Sequence, residues 1–137
     1  MTDLHRVIYV SETVGTTGRT TLSIAHILGA AARNNRRDRI TGVILFCEGR
    51  VLQAVEGMRG DVDRLMARLR ADPRHTGMRL LSDAPVRGRR FHDPMALCGL
   101  TEPTLARLLA GRRLTDLTPR EAEDMLASCI VAPAEAA

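Results

Sequence analysis

The stretch GVILFCEGRVLQAVE, residues 42–56, constrains this chain more than any other. Two apolar runs, 42–47 and 51–56, flank the turn EGR, too short for helices and joined through a glycine, so the segment reads as a β-hairpin. A hairpin with apolar side chains on both faces needs cover, and the flanking sequence supplies it. Residues 4–11, LHRVIYVS, alternate and are rich in Val and Ile, which predicts a strand. GTTG breaks that strand. TTLSIAHILGAAARNN then sets Leu22, Ala25, Ile27, Leu28 and Ala32 on a helical stripe behind a threonine start signal. After the hairpin, GDVDRLMARLRADP repeats the helical pattern at Val62, Leu65, Met66 and Leu69, and Pro73 stops it. MRLLSDAPV predicts a fourth strand, and a short fifth is expected near residues 97–99.

The order is βαββαβ, a ferredoxin-like α+β arrangement: one mixed sheet with two helices on one face. Past Leu100 come two short helices. TEPTLARLLAG has Pro103 near its start and Gly111 at its end, and TPRE at 118–121 is a capping box. With 137 residues the chain fits one domain over 1–99, a helical extension over 100–131 and a disordered tail over 132–137.

Composition narrows the function classes. Hydrophobic residues make up 45% and mean hydropathy is −0.09, enough for a core, with no run of membrane-spanning length. No signal-peptide core follows the first residues, so a cytoplasmic protein is expected. Cys47, Cys98 and Cys129 are odd in number and far apart, which suggests neither disulfides nor a metal site. A net charge of +4 admits an anionic ligand or nucleic acid. RNNRRDR would serve an RNA-binding reading through phosphates, but aromatics are only 2% of residues, too few to stack bases, so no nucleic-acid partner is expected. His5, His26, His75 and His92 form no metalloprotease pattern, and no nucleophile elbow or Walker loop occurs, so no enzyme is expected.

Some polar residues stand where a core would not choose them. Val7, Tyr9 and Ser11 share one strand face, as do Val51, Gln53 and Val55. If both sets face the helices, a phenol and a carboxamide meet in the interior and must satisfy one another or a ligand, since an unmet buried polar group costs roughly 1–3 kcal/mol. Asn34 and Asn35 close the first helix. One asparagine is an ordinary cap; two in a row leave one to meet the donor–acceptor edge of a flat heterocycle.

Together LHRVIYVS, ARNN, ITGVILF, GRVLQAVEG, ADPRH and RRF, in that order, make residues 4–99 resemble a BLUF domain, a blue-light sensor that binds flavin. Gln53 lies nineteen positions after Asn34, and Asp72 nineteen positions after Gln53, as in that family. The resemblance implies non-covalent FAD, with FMN as the alternative, and a short standalone type. Tyr9 resembles the family's photoactive tyrosine and Gln53 its switching glutamine; Asn35, with Asn34 beside it, resembles the asparagine on the polar edge of the ring. Arg68 falls where the family has a basic residue near the phosphate, though it also reads as an exposed helical arginine. Asp72 and His75 shape the ribityl and phosphate end, or His75 stabilises its turn. Ile24, Ile27, Ile40 and Leu65 are apolar walls of the ring or plain core.

Two departures stand out. Pro94 occupies the family's tryptophan position and Ala96 its methionine position, with Met95 one place early; Met95 and Ala96 are the residues assigned to signal output. The loop after Tyr9 carries the extra VGTTG. The resemblance implies light-driven electron and proton transfer from the tyrosine, a rearranged glutamine and a signal to an unidentified downstream protein, with a homodimer left open. The alternative is an interaction module, with or without flavin, that has lost photoswitching.

Overall fold

A computed structural model describes residues 3–128 and 130 of the chain. The expected tail over 132–137, and Cys129, lie outside the described residues. In chain order the elements are β1 (Leu4–Thr13), α1 (Thr21–Arg37), β2 (Thr41–Cys47), β3 (Arg50–Met58), α2 (Arg59–Ala71), β4 (His75–Pro85), β5 (Ala96–Leu97), α3 (Glu102–Leu109) and α4 (Pro119–Ser128). A 3-10 turn at Leu114–Asp116 joins the last two helices.

The hairpin sets the architecture. Glu48 and Gly49 both take left-handed backbone (φ 47° and 79°), the conformation that matches a two-residue turn to the twist of its strands. Gly42, the second residue of β2, has to be a glycine because a Cβ there would run into the Ala54 carbonyl of β3. β1 pairs antiparallel with the other side of β3, and β4 with the outer side of β1. The order is therefore β4-β1-β3-β2-β5, with β5 parallel to β2 at the far edge. This is the ferredoxin-like α+β sheet expected from the sequence, and it is mixed because of that last pairing.

Strand alternation divides the core in two. Val7, Tyr9, Ile44, Val51 and Val55 face α2, which buries Val62, Leu65 and Met66 against them. Ile8, Val10, Val43, Leu45, Leu52 and Ala54 face the opposite way and are covered by Leu105 of α3 and by Ala122, Met125 and Leu126 of α4. The C-terminal helices thus form a third layer on the back of the sheet. Each apolar side chain they cover contributes about 1.5–3 kcal/mol, so α3 and α4 are integral to the fold.

The helix starts follow their sequence signals. Thr20 Oγ1 accepts the Ser23 amide at 3.1 Å at the head of α1. At the head of α4, Thr118 Oγ1 accepts the Glu121 amide at 3.1 Å while Glu121 Oε1 accepts the Thr118 amide at 3.0 Å. Among the described residues no helix is long and apolar enough to cross a membrane.

Candidate functional site

α1 does not pack down on the sheet as α2 does. Asn35 is its one fully buried residue, while Ile27, Leu28, Ala30 and Ala31 are only half-buried. The gap beneath it is a cleft of about 250 Å³ between α1, α2 and the sheet. Ile27, Ala30 and Ala31 line one wall, Leu65 and Leu69 another, and Ile44, Phe46 and Val51 the base. An amphipathic helix whose apolar face is left this open calls for an apolar ligand.

At the base, Tyr9 and Gln53 are directly opposite in the β1–β3 ladder. The Tyr9 hydroxyl donates to Gln53 Oε1, and both side chains are buried, at 2% and 5% exposure. Gln53 Nε2 points to the Met95 sulfur at 3.8 Å. Burial pushes the Tyr9 phenol well above its ordinary pKa, and the negative charge of Asp72 adds to the rise. The phenol is therefore a held proton donor. Thr13 Oγ1, also at the cleft, is buried and has no hydrogen-bond partner among the described residues.

The mouth is polar. Arg68 reaches from α2 to Asp38, the C-cap of α1, at 3.3 Å. Asp72 accepts Arg74 Nε at 3.0 Å and the Arg74 amide at 2.9 Å; these hydrogen bonds, the side-chain one foremost, hold its carboxyl below the usual range. His75 lies with its ring 6.2 Å from that of Tyr9, its Nδ1 2.8 Å from Ser11 Oγ and its Nε2 against the Leu69 carbonyl. His75 therefore ties β4 to β1 and to the end of α2. Asn34 stands at the rim with its side chain in no hydrogen bond among the described residues, whereas Asn35 Nδ2 donates to the Pro94 carbonyl at 2.8 Å.

The cleft thus gathers Tyr9, Gln53, Asn34, Asn35, Ile27, Leu65, Arg68, Asp72, His75 and Met95. Three further sequence candidates stand elsewhere. Ile24 is half-buried on α1 outside the lining, and Ile40 is core, packed where Gly57 leaves room. Ala96 points to the back face among the residues that α3 and α4 cover. Consecutive residues of an extended strand face opposite sides, so Met95 and Ala96 serve different layers.

Sequence reading missed Thr13, Phe46 and Arg74 on the cleft, and it missed Glu56. That side chain is fully buried, accepts Arg6 Nε at 2.7 Å and takes the Arg90 and Phe91 amides at 3.0 and 2.8 Å. Arg6 also donates to Glu123 of α4 at 2.6 Å, and Arg90 contacts Glu123 and Asp124. Glu56 therefore anchors the loop that delivers Met95 and links it to α4. The available signal was a carboxylate inside an apolar strand, three residues after Gln53.

Comparison with known proteins by sequence and by fold points to one family. Its family model, sensors of blue-light using FAD, matches residues 4–96. A photoactivated adenylate cyclase beta subunit from Euglena gracilis is 34% identical over 105 residues, covering 77% of this chain and 12% of the cyclase. The chain thus spans about an eighth of that relative. The dark state of BlrB, a BLUF protein, overlays with a TM-score of 0.75 at 27% identity over 93% of this chain and 95% of BlrB. The photo-activated state of BlsA overlays at 0.80 and 19% identity, over 95% and 96% of the two chains, a likeness of fold. This chain belongs to the BLUF family, the sensors of blue light using FAD.

Proposed function

We propose that this chain is a blue-light photoreceptor whose reactive pair is Tyr9 and Gln53 and whose output passes through Met95 to the C-terminal helices and then to a separate partner protein. The observation that carries the reading is the chain of contacts from Tyr9 to Gln53 to Met95 at the base of the cleft.

The residues present fit a flavin. The open apolar face of α1 needs a flat apolar group, the free amide of Asn34 and the orphaned hydroxyl of Thr13 need polar ones, and Arg68 and Arg74 stand at the mouth for phosphate. When bound, the flavin supplies blue absorption and an excited state that draws an electron.

The protein's part is to hold and move one proton. Tyr9 is the donor at its hydroxyl, kept protonated by burial. Gln53 Oε1 takes its hydrogen bond, so any change at the phenol is felt at the amide. If the amide turns over, Nε2 faces the phenol oxygen and Oε1 faces Met95. A thioether accepts but does not donate, so that contact opens and Met95 is released. Because Ala96 is packed on the back layer and pairs with Val43, displacement of Met95 tugs on α3 and α4. Light then shifts a two-state population. On this reading residues 100–131 are the output element.

The competing reading, an interaction module that has lost photoswitching, draws on Pro94 at the family's tryptophan position. One experiment separates them: the absorption of FAD-loaded protein before and after blue light. A reversible red shift, abolished in Tyr9→Phe, supports the photoreceptor; a spectrum that light leaves unchanged supports the module.

A further inference from the structure

A second cleft opens on the back of the sheet, about 250 Å³ in volume and separate from the first. Its floor is Val10 and its roof Leu114, both buried. Around them stand Arg50, Arg79 and Arg113, with Thr115 beside them and Glu12 as the one carboxylate. The ladder explains the convergence. β1 is flanked by β3 and β4; Glu12 is opposite Arg50 on one side, and Val10 is opposite Arg79 on the other. Val10 and Glu12 are two apart and share the back face, so both arginines rise from either flank of one strand onto that face. Arg113 reaches it from the α3–α4 connection.

Ten of the twenty arginines have carboxylate partners among the described residues, Arg6, Arg59, Arg74, Arg90 and Arg112 among them. Arg50 and Arg79 make no ion pair among the described residues, and Glu12 makes none although it stands in register with Arg50. Arg113 is paired only with its neighbour Asp116, at 3.5 Å, and its side chain is 73% exposed. Three guanidinium groups against the carboxylates of Glu12 and Asp116 leave a net positive charge around a concave, partly apolar floor. Guanidinium forks match the oxygens of phosphate in pairs, and the adjacent Thr115 offers a hydroxyl.

We propose that this back cleft is a binding site for a small phosphorylated ligand, with Arg50, Arg79 and Arg113 on its phosphate oxygens. The site does not depend on the photoreceptor reading, because it lies on the other face of the sheet from Tyr9 and Gln53. The concave floor favours a small molecule over a partner's acidic segment, since a flat docking surface would need no pocket.

The test is a titration of flavin-loaded protein with inorganic pyrophosphate at low salt, followed by backbone amide shifts. Loading with flavin keeps the first cleft out of the measurement. Saturable shifts at Gly77 and Thr115, with Ala31 and Asp72 unmoved, are expected. Arg50→Ala with Arg79→Ala should weaken binding at least about tenfold, as the loss of charge-assisted bonds implies. Glu12→Gln should tighten it several-fold by removing the opposing charge. Arg107→Ala, on α3 and away from the cleft, should change it little, and an unchanged flavin spectrum checks that each variant is folded.

Shifts scattered over the surface, or equal weakening by Arg107→Ala, would mean general electrostatic attraction and overturn the site. An aspartate-rich peptide of the same charge that binds there tenfold more tightly than pyrophosphate would also overturn it, in favour of a protein dock.

Discussion

The hydroxyl of Tyr9 donates to Oε1 of Gln53 across a single rung of the β1–β3 ladder, with both side chains buried. The pair is internally satisfied, yet it lies at the base of a cleft that the helix above leaves unfilled. A structural pair needs no cleft, and the coincidence of the two is what favours a reporting role.

Replacing Tyr9 by Phe tests this with little change of shape. Gln53 Oε1 loses its donor while remaining buried, which should cost about 1–3 kcal/mol in thermal or denaturant unfolding. Flavin binding should persist. The light-induced shift should vanish, and a variant that still shifts would assign the electron to another residue.

The chain has one tyrosine and no tryptophan, so its phenol can be titrated without interference from another. An exposed tyrosine ionises near pH 10. Burial raises the folded-state value above that, so the group contributes stability that is complete below about pH 10 and lost as pH rises through the folded value. The near-ultraviolet tyrosinate band should therefore be missing above pH 10 until the protein unfolds. Ordinary ionisation near pH 10 in the folded protein would remove the held-proton argument.

Acid should loosen the mouth of the cleft. The folded pKa of Asp72 is depressed, chiefly by its hydrogen bond from Arg74, so its contribution is present above the unfolded value of about 4 and is lost as pH falls through the lower folded one. Asp72→Asn should flatten the loss of stability below about pH 4 relative to the parent chain, measured by thermal melts across that range.

Glu56 makes a sharper structural prediction. Its removal leaves Nε of Arg6 and two backbone amides without an acceptor in a buried place, with only the Glu123 contact of Arg6 remaining, so Glu56→Ala should cost about 3–5 kcal/mol. Glu56→Gln keeps one acceptor oxygen and should cost less. If Glu56→Ala were neutral in denaturant unfolding, the anchoring of the Met95 loop would be elsewhere.

Met95→Ala separates sensing from output. Tyr9 and Gln53 are untouched, so the spectral shift should remain. The light-dependent change in amide exchange of α3 and α4 should fall, because the sulfur that Gln53 Nε2 contacts at 3.8 Å is gone.

Much of this was legible in the sequence, for reasons that differ by element. The hairpin was readable because Glu48-Gly49 between apolar runs has one good backbone solution. Alternation put Tyr9 and Gln53 each on one face of its own strand, and the ladder makes them direct partners. The back layer was less legible: α3 and α4 carry good caps, but caps state where a helix begins and not which face of a sheet it covers. Met95 and Ala96 likewise needed three dimensions, since a strand of two residues has no period to read. Glu56 was not singled out because it ends the apolar run 51–56, where a glutamate usually faces solvent, whereas β3 continues past it to Met58.

The central claim is that light acting at the Tyr9–Gln53 pair changes the hydrogen bonding of Gln53. The most direct measurement is a light-minus-dark infrared difference spectrum of FAD-loaded protein carrying isotope-labelled glutamine. Label-sensitive bands of the amide should appear on illumination and decay in the dark, and they should be absent in Tyr9→Phe. Bands that the label leaves unmoved, or that survive the loss of the phenol, would contradict it.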